Sequence, residues 1–321
     1  MSHPLLRPFR VIGIGIARWF DAEALRPEDC WSDRQKVDWS RVLPFVLLHV
    51  GCLGVIFVGA SWTAVLVCLG LYLVRMFAVT AFYHRYFSHR AFKTSRPAQF
   101  AFAVLANSSA QRGPLWWACH HRLHHQRSDE VGDVHSPHQH GFLWSHMGWL
   151  TCRSNFLTDL QKVKDFAGYR ELRLLDRFDT LVPFALAITT FVVGDWLGRA
   201  HPHLGVDGWQ LLVWGFFVST TLVFHGTSSI NSLAHLLGRR RYPTRDQSRN
   251  SLLLALVTLG EGWHNNHHHY PASVRQGFHW WQIDLTWWGL RLLAMLGLVW
   301  DLRPVPEHVI RGEKRPRRVA G

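Results

Sequence analysis

Long apolar runs alternate with long polar segments along this 321-residue chain. Residues 42–60 and 62–82 form two apolar runs separated by almost nothing, and 181–198 and 209–229 form two more, joined by a loop around Pro202. A helix needs about 20 mostly apolar residues to cross a bilayer, so the pattern predicts two transmembrane hairpins. Shorter runs read differently: 251–259 as a helix buried in a polar cap, and 287–300, rich in Trp and Leu, as interfacial. The stretch 11–17 is too brief to span and has no cleavage-site signature, so it is placed at the interface and no signal peptide is expected.

Four spans put residues 1–41, 83–180 and 230–321 on one side of the membrane. Those segments hold 33 of the 35 Lys and Arg residues, whereas the 199–208 loop holds only Arg199. The positive-inside rule makes that side the cytoplasm. The expected molecule is an all-α, multi-pass membrane protein with both termini cytoplasmic. It comprises an N-terminal segment 1–41, a hairpin 42–82, a first cap segment 83–180, a second hairpin 181–229, a second cap segment 230–303 and a basic tail 304–321. Arg75 lies inside the second span, where an unpaired cation costs about 3 kcal/mol or more; it is expected to meet a polar group of the cap or to extend to the interface.

Composition supports this and narrows the chemistry. The chain is 48% hydrophobic with 17 Trp and 20 Phe, yet its mean hydropathy is near zero, as alternating segments require. Five cysteines without a CxxC pair argue against a disulfide framework or a zinc ribbon. A net charge of +13 suits an anionic membrane surface or an acidic partner; no nucleic-acid recognition motif accompanies it.

Of 22 histidines, most candidates for chemistry fall in three clusters, all outside the spans. His121, His124 and His125 have i, i+3, i+4 spacing, so on a helix they share one face. His264, His267 and His268 repeat it, and His84 and His89 form an i, i+5 pair. Neutral imidazole is the commonest protein ligand for iron, zinc, copper and nickel. Eight such ligands exceed one tetrahedral ion and suit two ions that keep open positions.

These motifs resemble the three histidine boxes of the membrane fatty acid desaturases, especially the stearoyl-CoA (delta-9 acyl-CoA) branch: His84-x4-His89, His121-x2-His124-His125 and His264-x2-His267-His268. The run from Ser128-Asp129 to Asp133-Val-His135, then Gly141-Phe142 and Ser145-His146-Met-Gly148-Trp149, is similar to the segment after that branch's second box. Asn231-Ser-Leu-Ala-His235 and Gly260-Glu261-Gly262-Trp263 also match, over about residues 42–303 in all. The resemblance implies two iron ions held by His84, His89, His121, His124, His125, His235, His264, His267 and His268, with Asn231 reaching one through water. His120 and His269 fall outside the pattern. Asp133, His135, His146 and Glu261 are candidates for orienting the ligands.

The implied reaction is dioxygen-dependent insertion of a cis double bond, at delta-9, into a long fatty acyl chain, with CoA as the first-choice carrier and a phospholipid as the alternative. The resemblance places the end of the substrate tunnel near Tyr72, which is expected to limit chain length. Trp117, beside the second box, and Arg153, after Gly148-Trp149, are the remaining candidates for contact with substrate or carrier. No His-Pro-Gly-Gly haem-domain stretch occurs, so electrons must come from a separate ferredoxin, rubredoxin-like protein or small cytochrome. A membrane di-iron hydroxylase of alkanes or carotenoids stays open as a second enzyme reading. A histidine-rich metal transporter would place its ligands within the spans near the midplane, whereas only His49, Arg75, Asp195 and His225 lie in or at the ends of spans and all three clusters are outside.

Overall fold

A computed structural model describes residues 17, 19–24 and 36–313. The apolar stretch 11–16 and the tail from 314 lie outside the described residues. Four helices are long and apolar enough to cross a membrane: Arg41–Val58, Trp62–Ser88, Leu181–Ala200 and Gly208–His235, here the first to fourth spans. The cap is built from short helices: α1 (Arg96–Asn107), α2 (Pro114–Arg127), α3 (Phe142–His146), α4 (Arg170–Arg177), α5 (Leu252–Val257), α6 (His264–His269) and α7 (Leu285–Met295). One two-stranded antiparallel ladder, β1 (Lys93–Thr94) with β2 (Val299–Trp300), closes one edge of it.

The end of the bundle away from the cap is tied by side chains. Ser61 caps the second span by accepting the Ala64 N–H and donates to Gln210 at 2.6 Å, and Gln210 donates to the Val58 carbonyl at 2.8 Å. Close helix approach in lipid relies on small residues, and Gly54 supplies one; a Cβ there would stand 2.8 Å from Val213.

The second and fourth spans outrun the apolar runs of the sequence by about six residues each, and this excess carries ligands into the cap. The second continues as a π-helix over Val79–Ser88, with all ten residues buried. The fourth ends in a 3₁₀ turn at Leu233–His235. Arg75 is 1% exposed and has no carboxylate partner among the described residues; it donates to Thr220 Oγ1 at 2.7 Å, to the Ser108 and Leu71 carbonyls at 3.2 and 3.1 Å, and to Ser219. Neutral oxygens, one of them from the cap, satisfy a cation inside the bundle.

The expectation of a buried helix at 251–259 is corrected. In α5 only Leu254 and Ala255 are buried, while Leu252, Leu253, Leu256 and Val257 are exposed, Leu253 at 71%. The reason is position. Tyr72, ten residues along the second span, donates to the Val257 carbonyl at 2.6 Å, so α5 lies beside that span, at the level of its apolar wall. Its outer face extends the exposed apolar surface of that span instead of joining a core. The exposed Trp288, Leu292 and Met295 of α7 continue the same apolar belt.

Candidate metal centre

The i, i+5 pair of the first cluster is explained by the π-helix. Its wider turn brings residue i+5 over residue i, as the His89 N–H bond to the His84 carbonyl at 3.3 Å shows. The two rings end 4.9 Å apart. In α2 the second cluster sits on one face as its spacing predicts. Its N-terminus is held by Asp176 of α4, whose carboxylate accepts the Trp116 N–H at 2.8 Å. Burial pushes Asp176 up to about 6.

The six-residue α6 could not stand alone in water and is fastened from outside. Asn250 Oδ1 accepts the N–H groups of Asn265 and Asn266 at 3.0 and 3.1 Å, satisfying two orphan donors of its first turn. Asn265 Oδ1 in turn accepts the N–H groups of Arg241 and Tyr242, both at 2.7 Å. Gly262 allows the approach: a Cβ there would be 2.0 Å from the Ala255 nitrogen.

These elements bring nine histidines together in two adjacent groups. His84, His89, His121, His125 and His267 form one, and His124, His235, His264 and His268 the other, with the ligand atoms of each within 4.8 Å of one another. In the first group the Nε2 atoms follow one another at 3.0 Å (His84–His267), 2.8 Å (His267–His125), 3.0 Å (His125–His121) and 2.8 Å (His121–His89). In the second, His235 and His264 approach at 3.0 Å, and His268 Nε2 is buried with no hydrogen-bond partner. His125 stacks on His268 at 4.4 Å, so the groups touch.

Four carboxylates decide which ring nitrogen carries the proton. Nδ1–H donates to Glu261 from His84 (2.5 Å), to Asp133 from His124 (3.0 Å), to Asp129 from His235 (2.7 Å) and to Asp246 from His268 (2.7 Å). Each Nε2 is then a bare lone pair aimed at others. Such convergence is repulsive unless a cation lies between the rings. Metal–imidazole bonds are about 2.1 Å, so nitrogens at right angles around one ion stand about 3.0 Å apart and tetrahedral ones about 3.4 Å. The observed spacings are those of nitrogens that could share one ion within each group. Burial holds His89, His121, His125, His264 and His267 well below the usual histidine range, and His268 at about 4. They are neutral at neutral pH, the form in which imidazole can bind a metal. For His124 burial also pulls downward, but the Asp133 carboxylate outweighs it and the net shift is upward.

The other candidate residues divide. Asp133 and Glu261 each face the Nδ1 of a clustered histidine, His124 and His84. Glu261 is fixed by Arg85, which is 1% exposed and also grips Asp284 at 2.9 Å. His135 packs against His124 with the rings tilted and 4.4 Å apart, its Nδ1 3.5 Å from Asp133. His146 is corrected: it touches no ligand ring and bonds Ser232 Oγ and His225, both at 2.9 Å, and His225 reaches His49 at 3.3 Å. It fastens the cap to the first and fourth spans. Asp129, Asp246 and Arg85 were not singled out from sequence. A fully buried Arg between two ligands is a signal that acids must converge there; Asp246, in an arginine-rich loop, has no local signal. His120 packs against Trp116 at 4.5 Å and His269 against Tyr242 at 4.4 Å, both outside the two groups.

Asn231 lines two apolar cavities that meet beside the histidines. The larger, about 820 Å³, runs from Trp117, His121 and Asn231 between the first span (Pro44, Phe45, Leu48), the third (Pro183, Ala187, Ile188) and the fourth (Leu212, Phe216). The smaller, about 40 Å³, continues past the same three residues to Met76, Val79 and Ile230. Gly226 lies behind it, where a Cβ would meet Met76 Cε at 2.6 Å and Tyr72 Oη at 3.2 Å. Arg153 does not line either cavity; it pairs with Asp38 at 3.2 Å, at the entry to the first span.

A sequence model described as fatty acid desaturase matches residues 60–300. The chain is 34% identical over 275 residues to an sn-1 stearoyl-lipid 9-desaturase of Anabaena variabilis, covering 85% of this chain and 96% of that one. It is 36% identical over 287 residues to an acyl-CoA 5-desaturase of Anemone leveillei, covering 86% and 85%. With a delta-9 acyl-lipid desaturase of Arabidopsis thaliana it shares 32% identity over 292 residues, covering 89% and 88%. A match over most of the chain, on a four-span helical frame with its histidines gathered in two groups, makes this protein a member of the fatty acid desaturase family.

Proposed function

We propose that the protein inserts a cis double bond at delta-9 of a long acyl chain carried on a membrane lipid, with two irons held by the nine histidines and Asn231. The observation that carries the reading is the placement of both histidine groups at the neck between two apolar cavities. The balance is –CH₂–CH₂– plus dioxygen, two protons and two electrons giving –CH=CH– and two waters. Two irons would supply the oxidising power that removes hydrogen from unactivated methylenes, which redox-neutral zinc does not.

The chain's own residues do the rest. Glu261, Asp133, Asp129 and Asp246 fix the ligating tautomers and offset the charge of the ions. Trp117 and the apolar walls keep water from the methylenes, and Asn231 presents its amide to a water at the second group. Met76 bounds the far cavity with Tyr72 packed behind it, so chain length is read there. The larger cavity opens sideways, past the exposed Leu47, Phe184 and Ile188 at 50–56% exposure, on the level of the bilayer. Its lining carries two arginines for the phosphates of CoA, Arg41 and Arg112, and Arg112 is held by Asp179 at 2.7 Å. A lipid-bound chain sliding in from the membrane fits this mouth better than a soluble thioester. The concentration of Lys and Arg on the cap supports a cytoplasmic cap, and a separate electron donor completes the cycle.

The test is the fatty acid profile of cells expressing the wild type and His124→Ala, with the metal content of each purified protein. A new cis-9-monounsaturated acid that vanishes in the variant, with about two irons per wild-type chain, is expected. Alcohols with two irons would move the assignment to a hydroxylase. Zinc with no new lipid would remove the redox reading. In nanodiscs, stearoyl phosphatidylcholine is expected to be turned over and stearoyl-CoA not; the reverse overturns the lipid carrier alone.

A further inference from the structure

The loop Gly238–Asn250 carries five arginines and one acid, Asp246. Arg239, Arg240, Arg241 and Arg245 are exposed, and none forms an ion pair with a carboxylate among the described residues. Several other cations of the cap are neutralised within the molecule: Lys93 by Asp301 at 2.9 Å, Arg96 by Glu171 at 2.7 Å, Arg177 by Asp21 at 2.7 Å. A cluster of like charges left uncompensated costs stability through self-repulsion and is suited to an opposite charge from outside.

The loop is also welded to the metal centre. Its base is closed by the Arg239–Asn250 bridge, with bonds of 2.9 and 2.8 Å. Asn265 of α6 holds the Arg241 and Tyr242 N–H groups, and the Gln247 N–H donates to Asp129 at 2.8 Å. Asp246, next in chain to exposed Arg245, grips His268 at 2.7 Å. One carboxylate therefore separates the arginine-bearing surface from a ring of the second histidine group. Electron tunnelling falls steeply with distance, so a donor seated here would face a short path.

We propose that Arg239, Arg240, Arg241 and Arg245 form the docking platform of an acidic, one-electron redox protein, whose electrons enter through the Asp246–His268 contact. The inference rests on the desaturase reading, which needs two electrons per double bond: two reduced donors are oxidised in turn, and these electrons join the two hydrogens taken from the chain and two solvent protons in reducing one dioxygen to two waters. Charge steering of this kind governs encounter and salt dependence.

The test uses the full chain in nanodiscs of neutral phosphatidylcholine, with two probes: an acidic plant-type ferredoxin and a soluble acidic cytochrome b5 domain. Direct binding is measured against ionic strength for the wild type, for Arg239→Glu/Arg240→Glu/Arg241→Glu, for the corresponding three Arg→Lys changes, and for Arg170→Glu/Arg173→Glu elsewhere on the cap. Salt-dependent binding of at least one probe is expected, weakened about tenfold or more in the loop reversal and kept by the Lys variant and by the reversal at 170 and 173. In turnover, KM for that donor rises in the loop reversal and kcat stays within about twofold. Equal binding by the loop reversal, equal loss in the Lys variant, equal loss at 170 and 173, or no salt-dependent binding of either probe overturns the proposal. Chemically reduced enzyme in a single turnover keeps the two readings apart: alkene formation without the binding pattern removes only the docking site, and no alkene in any form removes the desaturase reading and this one with it.

Discussion

A carboxylate on Nδ1–H commits the opposite nitrogen of a histidine to a lone pair, and four of the nine histidines are committed in this way. Loss of such an orienting group costs 10–100-fold in metal affinity in comparable sites. Asp129→Asn keeps an acceptor for Gln247 but removes the charge facing His235; iron retention against a chelator is expected to weaken by about that factor, with the helical content unchanged. Asp246→Asn should act likewise through His268. Tyr72 is a residue whose role depends on one bond. It packs behind Met76, which lines the small cavity, and is anchored to the Val257 carbonyl, so Tyr72→Ala should let the cavity extend past Met76 and shift the product ratio towards longer chains by about tenfold, in line with the discrimination a methylene-sized pocket gives. An unchanged profile would show that the cavity ends before Tyr72.

At the scale of elements, two local devices position ligands. The π-helix at 79–88 aligns His84 with His89. Deleting Ala81 would return the segment toward α-helical register and turn the histidines beyond it by about 100°; iron content is expected to fall from about two to one or fewer per chain. The second device is the N-terminus of α2, held by Asp176. This carboxyl is raised from 3.8 to about 6 by burial. Its folded value exceeds its unfolded one, so it contributes stability below about pH 4 that is lost as pH rises through 6, about 3 kcal/mol at most for a shift of this size. Asp176→Asn keeps the acceptor for Trp116 without the charge. Thermal midpoints of the purified variant are expected to lose the pH dependence between 4 and 6 and to match or exceed the wild type at pH 7.5.

At the scale of the molecule, the lateral cavity, the histidine groups and the basic cap follow one another from the apolar spans outward. Ala187 lies where the large cavity passes the third span, and Ala187→Trp should narrow it. Turnover of lipid-bound chains is expected to fall at least tenfold with iron content intact; loss of iron would mean collapse of the site instead. Single cysteines placed at Gly59 and Gly205 should react with an impermeant maleimide from outside intact cells, and one at Arg240 only after lysis. Labelling of all three from one side would break the four-span topology.

What the sequence determined by itself is what nearest neighbours along the chain can encode. Apolar length marked the four spans, and i, i+3, i+4 spacing put His121, His124, His125 and His264, His267, His268 on single faces, because helical periodicity is a local property. The charge count separated the cap from the short loops for the same reason. What only the tertiary structure decided are contacts between segments far apart. His235 is committed by Asp129, 106 positions away, and His268 by Asp246 on a loop with no motif; neither pairing leaves a trace in local spacing. The π turn that joins His84 to His89, the exposed face of α5 at the level of the spans, and the role of His146 in fastening helices belong to the same class. Each depends on how distant elements share space, which periodicity within one element does not specify.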